Sequence, residues 1–182
     1  YYALCREILE ELDVDLVKLH IEGQIKSIDL LGIAKSPGFN PRRFCNYFFK
    51  IVLSSRPGLS IDEGEIKNSF WKKASDVDQM YENGDFLGVP PIIKTVKALS
   101  QDIHTTKVEN INSVYEETSE VPNFEPVKGL IQMLPLSQTF PPANRTNCFI
   151  VGDSEPLIID PSPKNEAEYD LLKKTFAKYE PK

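Results

Sequence analysis

The 182-residue sequence has few of the residues that most often build a metal or disulfide framework: three cysteines and two histidines. Cys5, Cys45 and Cys148 are odd in number and far apart, with no C-x-x-C pair, and His20 and His104 stand in unrelated contexts. A disulfide scaffold, a Cys/His zinc site within the chain and a histidine-assisted nucleophile are therefore not expected. No apolar run approaches the roughly 18–20 residues that cross a bilayer. The chain opens on a charged helical pattern instead of a signal-peptide core, so the expected location is cytoplasmic, with no membrane partner. No cluster of five or more Lys/Arg occurs, and 27 acidic against 21 basic residues leave a net charge of -6. Nothing here would hold a polyanionic backbone, and no nucleic-acid partner is expected. There is no internal repeat, and Asn144-Arg145-Thr146 reads as a turn, not as a glycosylated sequon. With 41% hydrophobic and 10% aromatic residues, the length supports one large or two small cores. Residue 1 is tyrosine, which reads as a cut or processed start.

Periodicity marks a helix over residues 2–12, and residues 27–34 suit a buried strand or short helix. Residues 44–53 form a strand with Cys45, Tyr47, Phe49, Ile51 and Leu53 on one face. A second strand over 66–72 holds Trp71, expected in the core. Ser75 is read as the N-cap of a helix through Tyr81 that stops at Asn83-Gly84. Pro90-Pro91 opens another helix. From 101 to 126 polar residues dominate and no element longer than a turn is expected. Segments 129–134, 147–152 and 156–160 read as an antiparallel meander. A last helix follows, N-capped by Asn165 with Glu168 three residues on, and with Tyr169, Leu172, Phe176 and Tyr179 on one face. Asp76-Val77-Asp78 opens like a calcium loop but fails, with Met80 at a ligand position and Tyr81 at the required glycine.

The first helix is the most informative. Leu4, Cys5, Ile8, Leu9 and Leu12 occupy one arc of about 140°, while Glu7, Glu10 and Glu11 share an arc of about 100°. Like charges at this spacing repel, and no Lys or Arg follows four residues later to relieve them. A hard divalent cation would neutralise such a face, since Mg²⁺ takes carboxylate oxygens together with substrate phosphates.

Arg6-Glu7-Ile8-Leu9-Glu10-Glu11-Leu12-Asp13-Val14 resembles the second half of the Nudix box, departing from it at Asp13, where that family has glycine. Asp tolerates a left-handed backbone better than most residues, so the helix end is expected to survive. The order of three further segments strengthens the resemblance to the coenzyme A diphosphatase-like subgroup. These are Pro41-Arg42-Arg43-Phe44 with the following aromatic strand, Glu63-Gly64-Glu65 before Trp71, and Leu87-Gly88-Val89-Pro90-Pro91. The resemblance implies Mg²⁺- or Mn²⁺-dependent cleavage of a nucleoside diphosphate-linked small molecule by water attack on phosphorus. In it Glu10 and Glu11 hold metal, Glu7 is a further ligand or handles the water, and Arg6 orients the carboxylates. Glu65 would support Arg6 by ion pairing, and Arg42 and Arg43 would contact substrate phosphates. The first half of the motif is not in the sequence.

Gly129-Leu130-Ile131-Gln132-Met133-Leu134, Thr146-Asn147-Cys148-Phe149 and Leu157-Ile158-Ile159-Asp160-Pro161 resemble the opening strands of the metallo-β-lactamase fold. That resemblance makes Asp160 the turn aspartate, not a ligand, and places the zinc cluster outside this sequence. The expected architecture is mixed α/β (α+β). Residues 1–101 would form a partial Nudix α/β/α sandwich without its N-terminal strands, 102–126 a linker, and 127–182 the start of a metallo-β-lactamase-like αββα domain. The expected activity is a Nudix-type diphosphatase fused to a second hydrolase, with this stretch inactive alone. A non-catalytic ligand-binding role for the Nudix part is the alternative.

Overall fold

The computed structural model describes residues 1–37, 42–61, 64, 66–111, 120–152 and 154–179. Among these the elements run α1 (Tyr2–Leu12), α2 (Leu16–Ile21), β1 (Ile25–Lys35), β2 (Cys45–Leu53), α3 (Ala74–Glu82), α4 (Pro90–Gln101), β3 (Asn123–Val127), β4 (Leu130–Met133), β5 (Cys148–Val151), β6 (Leu157–Ile159) and α5 (Glu166–Phe176). The architecture is mixed α/β, with two antiparallel sheets ordered β1-β2 and β3-β4-β5-β6. No helix among the described residues is long and apolar enough to cross a membrane.

α1 ends where the sequence departs from the glycine pattern. Asp13 takes φ 55° and ψ 35°, and its N–H donates to Leu9 O at 3.1 Å. This is the left-handed cap that glycine usually supplies. Val14 and Leu16 are buried just beyond it, and Asp15 Oδ1 accepts the Lys18 N–H at 3.0 Å, capping α2.

Residues 27–34 resolve as strand. β1 pairs with β2 with Leu30 opposite Phe49 and Gly32 opposite Phe48, and an irregularity between Leu30 and Gly32 lets Leu31 turn inward. Leu31, Ala34, Val108 and Ile111 make one buried cluster, backed by Phe48, Ala98 and Leu99. Gly32 is needed there, because a Cβ would lie 3.3 Å from Ile111 side-chain carbons. α4 starts on Pro90 and Pro91 at its first two positions, where no N–H is required.

Three expectations fail in this half. Residues 66–72 form no strand, and Trp71 is 48% exposed with the Arg56 guanidinium 5.7 Å from its ring. Phe70 and Trp71 are adjacent, so a strand would send them to opposite faces and give neither face a continuous apolar row. α3 begins at Ala74 with Lys73 as its N-cap; Ser75 lies inside the first turn and bonds Asp76. The stretch after α4 is also not a bare linker. Val108 N–H donates to Leu31 O at 2.7 Å. Lys50 Nζ donates to Ile103 O at 3.3 Å and to Thr105 O, and lies 3.7 Å from Asp29 Oδ2. β3, a five-residue strand, falls largely within the same polar region. Single anchors such as Val108, Ile111 and Val121 leave no periodicity to detect.

The second sheet is the expected meander with β3 added at its edge. Ile131 pairs with Ile150 and Met133 with Cys148, and all four are buried with Val121 and Leu172 of α5. Asn165 Oδ1 accepts the Glu168 N–H at 3.0 Å, as expected of the N-cap. The buried Glu168 carboxylate instead reaches across to the Leu136 N–H at 2.8 Å. Tyr169 is not on the core face: it is 43% exposed, under the Lys173 ammonium, and Leu171 and Thr175 line the buried side with Leu172. α3 meets the second sheet through the Tyr81 hydroxyl, which donates to Glu125 O at 3.0 Å. The Gly88 N–H donates to Pro126 O at 2.9 Å.

Candidate functional site

α1 buries none of its residues fully, although Leu4, Ile8 and Leu12 are half-buried. Its charged face is organised by Arg6, which pairs with Glu7 and lies 3.8 Å from Glu10 Oε2. The relief sought from a residue four positions after a glutamate thus comes from one four positions before Glu10. These side chains are about half exposed, at 51% for Arg6, 49% for Glu7 and 59% for Glu10. Glu11 has no ion-pair partner among the described residues.

Beside this face lies a cleft of about 790 Å³, lined by Tyr1, Ala3, Leu4 and Glu7 and by Leu30, Cys45, Asn46, Tyr47 and Phe49. Tyr1 packs on Phe49 with ring centroids 5.6 Å apart. Cys45, Tyr47 and Phe49 of β2 face this cleft with Asn46 beside them, while Phe48 packs against the buried cluster. Strand alternation therefore delivers two aromatic rings and an exposed thiol to the cavity, and α1 adds the Glu7 carboxylate. The sequence pattern showed that row, but not that α1 would lie against it, because such a pairing is a long-range contact.

Glu7, Glu10 and Glu11 fit a hard divalent cation in donor type and sequence spacing. Arg6 draws Glu7 and Glu10 toward itself, and among the described residues no three His, Cys, Asp or Glu side chains gather as a metal site. Arg42 and Arg43 are exposed and precede a clamp in which Ser36 and Phe44 exchange two hydrogen bonds of 2.9 Å. No ion pair joins either arginine to Glu7, Glu10 or Glu11 among the described residues. Glu65, Glu63 and Pro41 lie outside the described residues.

Asp160 follows β6 with φ 53° and is exposed. Its charge, second to burial, holds the Cys148 thiol high, at about 11. Cys148 is fully buried and chemically quiet by that cause. No protein-family model, curated protein or solved structure matches the chain at a significant level.

Proposed function

We propose that the first half of the chain belongs to a Nudix-type hydrolase acting on nucleoside diphosphate-linked small molecules, and that the second half opens a metallo-β-lactamase-like domain. The observation that carries this reading is the end of α1. Asp13 adopts at the motif's glycine position the left-handed cap that glycine would provide, so the R-E-x-x-E-E face projects from a correctly terminated helix. Bound Mg²⁺ or Mn²⁺ would supply charge neutralisation at the phosphates and a polarised water. Glu10 and Glu11 would hold it, with Glu7 as a further ligand or the group that accepts the water's proton. Arg6 fixes the direction of Glu7 and Glu10 before any ligand arrives, and the adjoining apolar cleft would take the uncharged part of the substrate.

The test is hydrolysis of a panel of nucleoside diphosphate derivatives by the full gene product with Mg²⁺, wild type against Glu10→Gln. Metal-assisted charge stabilisation worth several kcal/mol makes the expected loss about 100-fold or more. Hydrolysis unchanged in Glu10→Gln would remove α1 from the chemistry. The Arg6 pairing and the dispersed carboxylates favour one second reading, a domain that binds such a ligand without turning it over. Saturable binding with no hydrolysis in the same panel would select it.

A further inference from the structure

The protein carries a surplus of acid, yet three of its cations line one cavity. Arg56, Lys72 and Lys73 border a pocket of about 560 Å³ between the end of β2, the start of α3 and the end of α4. Among the described residues none of the three has an ion-pair partner, and Asp102 is the one carboxylate on the wall. Asp102 Oδ1 already accepts the His104 N–H at 2.9 Å. Three positive charges against one engaged carboxylate leave a net positive cavity in a chain of net charge -6. Like charges held in one cavity repel one another, and an anion relieves them.

A second cavity of about 370 Å³ adjoins it and shares Arg56; Trp71 forms part of its wall. The Arg56 guanidinium, 5.7 Å from the indole centroid, is steadied by that contact. Its planar fork is thereby placed between the two cavities, where it can meet phosphate oxygens in a bidentate way. Trp71 is 48% exposed, so much of the indole remains open to a flat ring.

We propose that these joined cavities form a binding site for a nucleoside phosphate, with the phosphates among Arg56, Lys72 and Lys73 and the base on Trp71. Among the described residues the site shares no lining residue with the cleft beside α1. It needs no divalent cation and does not depend on α1 having a catalytic role.

Trp71 is the single tryptophan of the sequence, so its fluorescence reports directly on the site. The chain is titrated with ADP, inorganic pyrophosphate and adenosine in EDTA, with calorimetry alongside. ADP is expected to change the emission saturably, pyrophosphate to bind more weakly, and adenosine more weakly still. The double variant Lys72→Gln/Lys73→Gln removes two exposed charges without touching the buried clusters and should weaken ADP by roughly tenfold or more. Arg56→Lys, which keeps the charge but loses the fork, should also weaken it, while Glu10→Gln should leave it unchanged. Absence of saturable binding at millimolar ADP, adenosine binding as tightly as ADP, or equal affinity in the Lys72/Lys73 double variant would each overturn the proposal. A loss of ADP binding in Glu10→Gln would move the ligand to α1 and overturn it too.

Discussion

Exchanging alanine for glycine at Asp13 should have the opposite effect to the same exchange at Glu10, although the two positions are only three residues apart. At Asp13 the backbone is left-handed, with φ 55°. A Cβ in that conformation costs roughly 1–2 kcal/mol, less for Asp than for Ala. Glycine removes the cost but loses about 0.4–1 kcal/mol through the freer unfolded chain. Asp13→Gly should therefore be more stable than Asp13→Ala by about 1 kcal/mol. Glu10 is an exposed interior residue of α1, and there glycine should be worse than alanine by about 0.8–1.0 kcal/mol. The swap between positions amounts to roughly 2 kcal/mol. Because α1 buries no residue fully, the difference should show first as local opening. Amide hydrogen exchange at residues 9–13 is the direct assay, and about 1 kcal/mol corresponds to roughly a fivefold change in protection. Alanine protecting those amides as well as glycine does at position 13 would mean that the helix does not end in a left-handed cap. The Nudix reading of α1 would then lose the observation that carries it.

Two further outcomes follow from packing and titration. Leu172→Ala removes a 2%-exposed side chain from the cluster shared with Val121, Ile131, Met133, Cys148 and Ile150; chemical denaturation should report a loss of about 2–5 kcal/mol. The Cys148 thiol is raised from 9.0 to about 11 by burial and then by Asp160. A raised folded value means that the thiol's contribution is complete below pH 9 and is lost as the pH climbs toward 11. Unfolding free energy measured across that window should fall more steeply in the wild type than in Cys148→Ala, and parallel curves would refute the assignment.

The elements with strong local signatures were legible in the sequence. Pro90-Pro91 announced α4, Asn165 announced α5, and the aromatic alternation of 44–53 announced β2, because each depends on neighbours within one or two turns. Trp71 and Tyr169 were misplaced for a common reason. Apolar identity and spacing point to burial, but both rings lie at the surface beside a cation, Arg56 and Lys173, in contacts that hydrophobic periodicity does not encode. The candidate carboxylates were legible as a helix face. The resemblance gives Arg6 an orienting role toward them, and the structure pairs Arg6 with Glu7 and sets it 3.8 Å from Glu10. The cleft beside Glu7 and the basic pocket beside Trp71 arise where separate elements meet, so no local pattern could reveal them.

The join between Tyr81 and Glu125 bears on how the protein can be dissected. The phenol sits in α3 and its acceptor in β3, and the Gly88-to-Pro126 bond runs alongside. An expression boundary drawn after α4, where composition turns polar, would leave a buried hydroxyl and a peptide N–H on one piece and their carbonyl acceptors on the other. The severed first piece would also lose Val108 and Ile111 from its buried cluster. Pieces cut there would each expose a surface that the intact chain covers, so insolubility of either piece would report on the cut, not on the folding capacity of the sequence.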